Sequence, residues 1–434
     1  MKQTLLLLIG FSIFFSAKAQ VKKAQTGTFA LVNALTIQTI TNGQVKGNLL
    51  IQDGKIAAIG TNISIPEDAE VIDCSNLIIY PGMIDSGSRL GLVEIGSLRE
   101  TQDDSEIGDI IPHMQALTAI NPNSVSIPVT RVNGVTTVLS VPQAGLFPGT
   151  AALINLHGYS PEQMFAGFKG VILNFPSTGR KGFFDKRTEE DIKKEAEKAL
   201  ETLNNVWEKA LLYTKIDSAY KANSKENPQP EYYPEMASLS EVIQGKTSLI
   251  IEVNTKTDIE AALKWVKEKK ISKVILSGVA EGWRVAEKIA ESKIPVLCGP
   301  ILTMPSRESD RYERPYDNPG LLQKAGVKVA IKSGETENTR NLPYHAGFAA
   351  AYGMSRREAL RAVTIVPAEI FGVADKLGSL EVGKIANIFV ATGDPFETKT
   401  EIKYLFINGM KIPIDSRHIQ LYEEFLQRST GAGK

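Results

Sequence analysis

Few residues in this 434-residue chain stand at spacings that carry chemistry. It has four histidines, His113, His157, His345 and His418. None shares the His-x-His or His-x-x-x-His spacing that would turn two imidazoles toward one metal ion. Each therefore reads as a structural or surface residue. A Gly-x-Ser-x-Gly elbow, a phosphate-cradling glycine loop and a Cys/His nucleophile pair are all missing. Ser86 and Ser88 lie where an apolar strand ends, a common place for small polar residues. Asp85, Glu252 and Glu335 could offer a cation a weak set of oxygens. A Ser–His–Asp site drawn from distant segments stays open. Cys74 and Cys298, far apart in sequence, read as two buried thiols rather than a disulfide.

Such residues need elements to hold them. Thr28–Val32, Asn48–Gln52, Lys55–Gly60 and Leu77–Tyr80 read as short strands, with hairpin chemistry at Asp53-Gly54. The pattern then changes. Apolar strands at Val135–Val141, Ser248–Val253, Lys273–Leu276, Pro295–Cys298 and Val327–Ile331 alternate with helices such as Asp258–Lys269 and Trp283–Glu291. Near-continuous apolar strands separated by helices predict a buried parallel sheet, and their number suits a closed barrel. One long helix begins at Thr188, with Asp191 at the capping-box position, and another begins at Ser355-Arg356-Arg357-Glu358. Ala222–Glu235, rich in proline, reads as an exposed loop. Strands return at Asn387–Ala391, Tyr404–Ile407 and Met410–Pro413, around a second hairpin signal at Asn408-Gly409. Two strand-rich ends around an α/β middle predict one small β domain built from both termini.

The first residues speak to destination. Lys2, the apolar run Leu5–Phe15 and Ala17-Lys18-Ala19 form a secretory leader with cleavage expected after Ala19. The run falls short of the roughly 20 apolar residues a spanning helix needs. The expected product is exported, periplasmic or secreted, with no membrane span after leader removal. The chain holds 49 basic and 49 acidic residues. Losing Lys2 and Lys18 leaves a slight negative charge, which excludes an electrostatic footprint for nucleic acid.

From Tyr80-Pro81-Gly82-Met83-Ile84-Asp85 onward the chain resembles the amidohydrolase superfamily, in particular its exported imidazolonepropionase-like branch. Asn133-Gly134-Val135-Thr136-Thr137-Val138, Glu358-Ala359-Leu360-Arg361-Ala362-Val363-Thr364 with Pro367-Ala368, Gly378 to Lys384 and Gly393-Asp394-Pro395 carry the resemblance through almost the whole mature chain. It implies a distorted (β/α)8 TIM barrel over residues 81–375. It also implies a composite β-sandwich from residues 20–80 and 376–434, the latter including a C-terminal tail. The implied chemistry is hydrolysis of carbon–nitrogen bonds by metal-bound water. The family holds zinc or another divalent metal with a His-x-His pair after the first strand, a histidine on each of two later strands and an aspartate on the last. A lysine carbamate often bridges them.

Here each of the histidine and aspartate positions is replaced. The pair falls on Gly87 and Arg89, the later histidines on Glu252 and Gly278, and the aspartate on Gly334. Glycine carries no donor atom, and a guanidinium repels a metal. No metal or other cofactor is therefore expected. Ser86, Ser88, Asn254, Ser277 and Glu335 would be the polar residues around such a site. Arg89 is expected to face Glu252 across it and form a salt bridge in place of the cation. Three readings follow. One is a degenerate homologue serving as partner to an active amidohydrolase paralogue, or associating with itself. Another is a binding protein whose roomy, glycine-lined mouth takes a small molecule, with Arg89 on its carboxylate. The third is a hydrolase of cyclic C–N bonds or small peptides working from a rearranged site.

Overall fold

The computed structural model describes residues 23–180 and 185–428; the expected leader, residues 1–19, lies outside them. In chain order the strands are β1 (Phe29–Gln38), β2 (Gln44–Gln52), β3 (Lys55–Gly60), β4 (Glu70–Asp73) and β5 (Ile78–Pro81). Eight more follow: β6 (Met83–Ser88), β7 (Val135–Ser140), β8 (Gly149–Asn155), β9 (Phe165–Asn174), β10 (Ser248–Val253), β11 (Val274–Gly278), β12 (Val296–Cys298) and β13 (Val329–Ile331). The set ends with β14 (Ile388–Ala391), β15 (Ile402–Ile407) and β16 (Met410–Ile412).

The first and last groups make one sheet, in the order β16-β15-β14-β5-β1-β2-β3, with β4 on the start of β1. Both hairpin signals act as their residue types require. Asp53 and Gly54 have φ of 51° and 76°, and Asn408 and Gly409 have 53° and 73°, the paired left-handed conformation of a two-residue hairpin loop. The two turns also lie against each other. A Cβ on Gly409 would fall 2.4 Å from the Cα of Gly54, so only backbone fits between them. Phe29, Leu49, Ile51, Ile79, Ile388 and Phe406 fill the core beneath the sheet.

Strands β6 to β13 pair in sequence order into a nearly closed barrel. Gly334 N–H donates to Gly87 O at 2.9 Å and Arg89 N–H to Glu335 O at 3.1 Å, joining the two edges. Seven strands run parallel. β8 is inverted, antiparallel to both β7 and β9, where regular alternation with helices would have kept it parallel. Residues 141–148 are too few for a parallel crossover, which needs a dozen or more residues, so the chain turns straight back. Sequence patterning also passes over β9, whose outward residues are mixed, and over the short β4.

The outer helices follow their caps. Thr188 and Asp191 form a reciprocal capping box on Glu189–Ala222, and Ser355 Oγ accepts from Glu358 N–H on Arg356–Arg361. The long helix buries Ile192, Leu203, Val206 and Trp207, and Trp207 meets Trp265 of helix Lys256–Lys269 edge-on at 5.1 Å. Trp283–Glu291, expected as one helix, is split into a 3-10 turn at Gly282–Arg284 and a helix at Ala286–Ser292. Cys74 and Cys298 are free and buried.

Barrel and sheet meet through a buried polar knot. Asn155 Oδ1 accepts from Thr137 Oγ1–H and from Asn387 Nδ2, both at 2.9 Å, and Asn155 Nδ2 donates to Asn408 Oδ1 at 3.0 Å. Gly134 beside it has φ of +83°, and a Cβ there would press within 3.1 Å of Met83 and Phe389.

Candidate functional site

In a parallel barrel the C-terminal ends of the strands converge on one mouth, which is where side chains from distant segments can meet. The strand ends here bring together Gly87 from β6, Glu252 from β10, Ser277 and Gly278 from β11, and Lys332 immediately after β13. Lys332 holds the centre. Its Nζ donates to Glu252 Oε2 at 2.7 Å and to Ser277 Oγ at 2.8 Å. The lysine side chain is 10% exposed and the glutamate 33%. Burial alone would raise the Glu252 carboxyl pKa, but the adjacent ammonium and hydrogen bonds carry it below its usual value.

The glycines at this mouth do not leave it empty. A Cβ on Gly87 would lie 2.9 Å from Lys332 Cδ, so the lysine stem runs through the space that Gly87 vacates. A Cβ on Gly278 would lie 2.5 Å from Glu252 Oε1 and 2.4 Å from Asn254 Oδ1. Gly278 also has φ of +85°, which suits glycine. The expectation of a roomy mouth is thus corrected at these two positions: the missing side chains make space for Lys332 and Glu252. Gly334, with φ of +70°, lies by Pro300 on the seam.

The expected Arg89–Glu252 bridge is not formed. Arg89 instead pairs with Asp104 at 3.4 Å, while Glu252 is taken by Lys332. Lys332 went unread in the sequence, although a lysine directly after the apolar run Val329–Ile331 was a usable signal. Asp85 is fully buried, and its Oδ1 accepts from Gly87 N–H and Ser333 N–H at 3.0 Å each, stitching β6 to the segment after β13. Its Oδ2 has no partner. Burial pushes this carboxyl up to about 6, against the pull of those hydrogen bonds and of Lys332.

Other polar candidates serve the scaffold. Ser88 Oγ donates to Glu335 O and lies 2.8 Å from Thr339 Oγ1, and Leu90 N–H donates to it. Ser86 Oγ is buried without a hydrogen-bond partner. Asn254 Oδ1 accepts a long bond from Ala280 N–H at 3.4 Å, while its Nδ2 donates to Glu252 Oε1 at 3.5 Å and so joins the central cluster. Glu335 contributes its carbonyl rather than its carboxylate. Of the histidines, none is hydrogen-bonded to Glu252, Ser277 or Lys332. His345 Nδ1 accepts from Ile301 N–H at 3.1 Å and Leu302 N–H at 3.4 Å, pinning the loop after β12, and burial lowers its pKa to about 4. His157 is lowered too, by burial and then by Arg131. His418 lies beside Arg340.

These groups do not suit a divalent cation. Among the described residues no cluster of three or more His, Cys, Asp or Glu is placed to hold one. Glu252, the one carboxylate at a ligand position, is bound to an ammonium that would repel a metal. The same contact bears on nucleophilic catalysis. Ser277 lies at hydrogen-bond distance from a lysine, but a paired ammonium offers no lone pair to take the hydroxyl proton.

A family model described as "Amidohydrolase family" matches residues 133–412, more than half of the chain. An amidohydrolase structure from Thermotoga maritima superposes with a TM-score of 0.78 at 25% identity, covering 89% of this chain and 99% of that one. Molinate hydrolase, at 16% identity and a TM-score of 0.55, covers 94% of this chain and 99% of its own, and shows the fold alone. Amidohydrolase tasK of Hapsidospora irregularis is 22% identical over 391 residues, 84% of this chain and 39% of that protein. D-hydantoinase of Geobacillus stearothermophilus is 40% identical over 90 residues, 21% of this chain and 18% of its own length. The chain thus spans about two fifths or less of the length of these curated relatives. Match and architecture agree: the chain belongs to the amidohydrolase family.

Proposed function

We propose that this protein is a metal-free, catalytically degenerate amidohydrolase homologue that is exported and serves as a partner subunit. The observation that carries this reading is the Lys332–Glu252–Ser277 cluster, an internal ammonium at the mouth where relatives would hold a metal. With Gly87 and Gly278 occupied by neighbouring side chains, the reading favours a partner role over small-molecule binding at this mouth. The leader-like start supports export, and a paralogue that retains its histidines is the proposed companion.

The test is metal analysis of the purified mature chain after a chelator wash, together with turnover assays on hydantoins, dihydroorotate and dipeptides. The expected result is far less than one metal per chain and no turnover, with or without added zinc. Near-stoichiometric metal, or hydrolysis lost on Glu252→Gln, would establish the hydrolase reading instead.

A further inference from the structure

At the end of the barrel opposite the mouth, the starts of β9 to β12 open into a cleft of about 1460 Å³. Its floor is apolar, with Phe168, Phe371 and Ile294, and its rim is lysine. Lys246, Lys267, Lys270, Lys273 and Lys293 are exposed there and none has an ion-pair partner. Of the cleft's acids, Glu260 is taken by Lys288 and Glu369 by Lys328, which leaves Glu291. Helix C-termini account for Lys267, Lys270 and Lys293 through the macrodipole. They do not account for Lys246 and Lys273, nor for an apolar floor beneath five unpaired cations.

The complementary surface lies on the same chain. The segment after β6, residues 94–109, exposes Glu100, Asp103, Glu106 and Asp109, none in an ion pair, around the exposed apolar side chains Ile95, Leu98 and Ile107. Ile107 is 97% exposed. This segment follows the C-terminal end of β6, while the cleft lies at the N-terminal ends of strands parallel to it. One molecule cannot bring the two together.

We infer that the lysine-rimmed cleft of one copy binds the acidic, aliphatic segment 94–109 of a second copy. Cleft against cleft would crowd ten unpaired lysines, so charge directs the contact between unlike surfaces. The inference does not depend on whether the mouth is catalytic.

Sedimentation velocity on the full mature chain tests it. Association should grow with concentration at low salt and weaken roughly tenfold or more as ionic strength rises toward ~0.5 M, where the Debye length falls to a few ångströms. Lys267→Glu with Lys273→Glu should leave the chain monomeric, and so should Glu100→Lys with Asp103→Lys. Mixing these two variants should restore association, because the unaltered cleft of the second meets the unaltered segment of the first. Ile107→Ser, which removes the apolar side chain without adding charge at a site too exposed to disturb folding, should also weaken the contact. A wild-type chain that stays monomeric at every concentration would overturn the inference. So would association that neither charge reversal alters, or a cleft that captures anionic lipid vesicles while the chain shows no self-association.

Discussion

Replacing Lys332 with methionine should destabilise the protein by about 2–3 kcal/mol. Removing one partner of a fully buried ion pair costs about 3–5 kcal/mol, because the other charge is left without compensation. Here Glu252 keeps a third of its side chain exposed, so water offsets part of that loss. Methionine retains the apolar stem over Gly87, which confines the change to the charge and its two hydrogen bonds. The assay is urea unfolding followed by tryptophan fluorescence, since Trp207 and Trp265 pack on the barrel's outer helices. Two companions sharpen it. Glu252→Gln should cost at least as much, because Lys332 is the more buried partner. The double change Lys332→Met with Glu252→Met should recover most of the loss, since it removes both charges together. The penalty of Lys332→Met should also shrink in acid. The pair holds the folded Glu252 pKa below its unfolded value, so its contribution is present above the unfolded pKa and fades as pH falls through the folded one. A Lys332→Met variant as stable as wild type, or a double variant no better than the two single losses summed, would refute the cluster's role.

The remaining expectations concern single positions. His345, with a folded pKa of about 4 against an ordinary 6.5, stays neutral when folded. Its contribution, about 3 kcal/mol, should be complete above pH 6.5 and lost as pH falls from there toward 4, and melting curves across that range of a His345→Asn variant should have lost this slope. Asp85 runs the other way. Its carboxyl, raised to about 6, costs stability as pH rises from 3.8 to 6, so melting curves of an Asp85→Asn variant across that range should have lost this fall. Gly278→Ala should cost about 2 kcal/mol or more in denaturant, through its positive φ and the collision with Glu252 and Asn254. Asn387→Ala should cost about 1–3 kcal/mol, since it leaves Asn155 and Asn408 N–H short of partners at the junction of barrel and sheet.

Much of this architecture could be read from residue order because local chemistry and global fold agree. Asp53-Gly54, Asn408-Gly409, Thr188 with Asp191, and Ser355 with Glu358 each specify a turn or cap that tertiary packing then uses. What escaped reading depended on partners remote in sequence. The inverted β8 has no pattern of its own and follows from a short connection. At the mouth, motif spacing located the positions but not their occupants. Arg89 went to Asp104, which neither spacing nor residue type announces, and Glu252 went to a lysine 80 positions away. The two mouth glycines are legible only once that lysine is placed, because their meaning lies in the volume of Lys332 and Glu252.

The touching turns at Gly54 and Gly409 set an order for folding. The outer sheet places β14, from the last tenth or so of the chain, directly beside β5 from its beginning. Until residues 388–412 arrive, β5 has a bare edge and β1 to β3 lack the apolar cover of Ile388 and Phe406. A barrel of some three hundred residues must therefore be held or folded first. A truncation that removes only the final three strands would leave the chain's first fifth without a finished core.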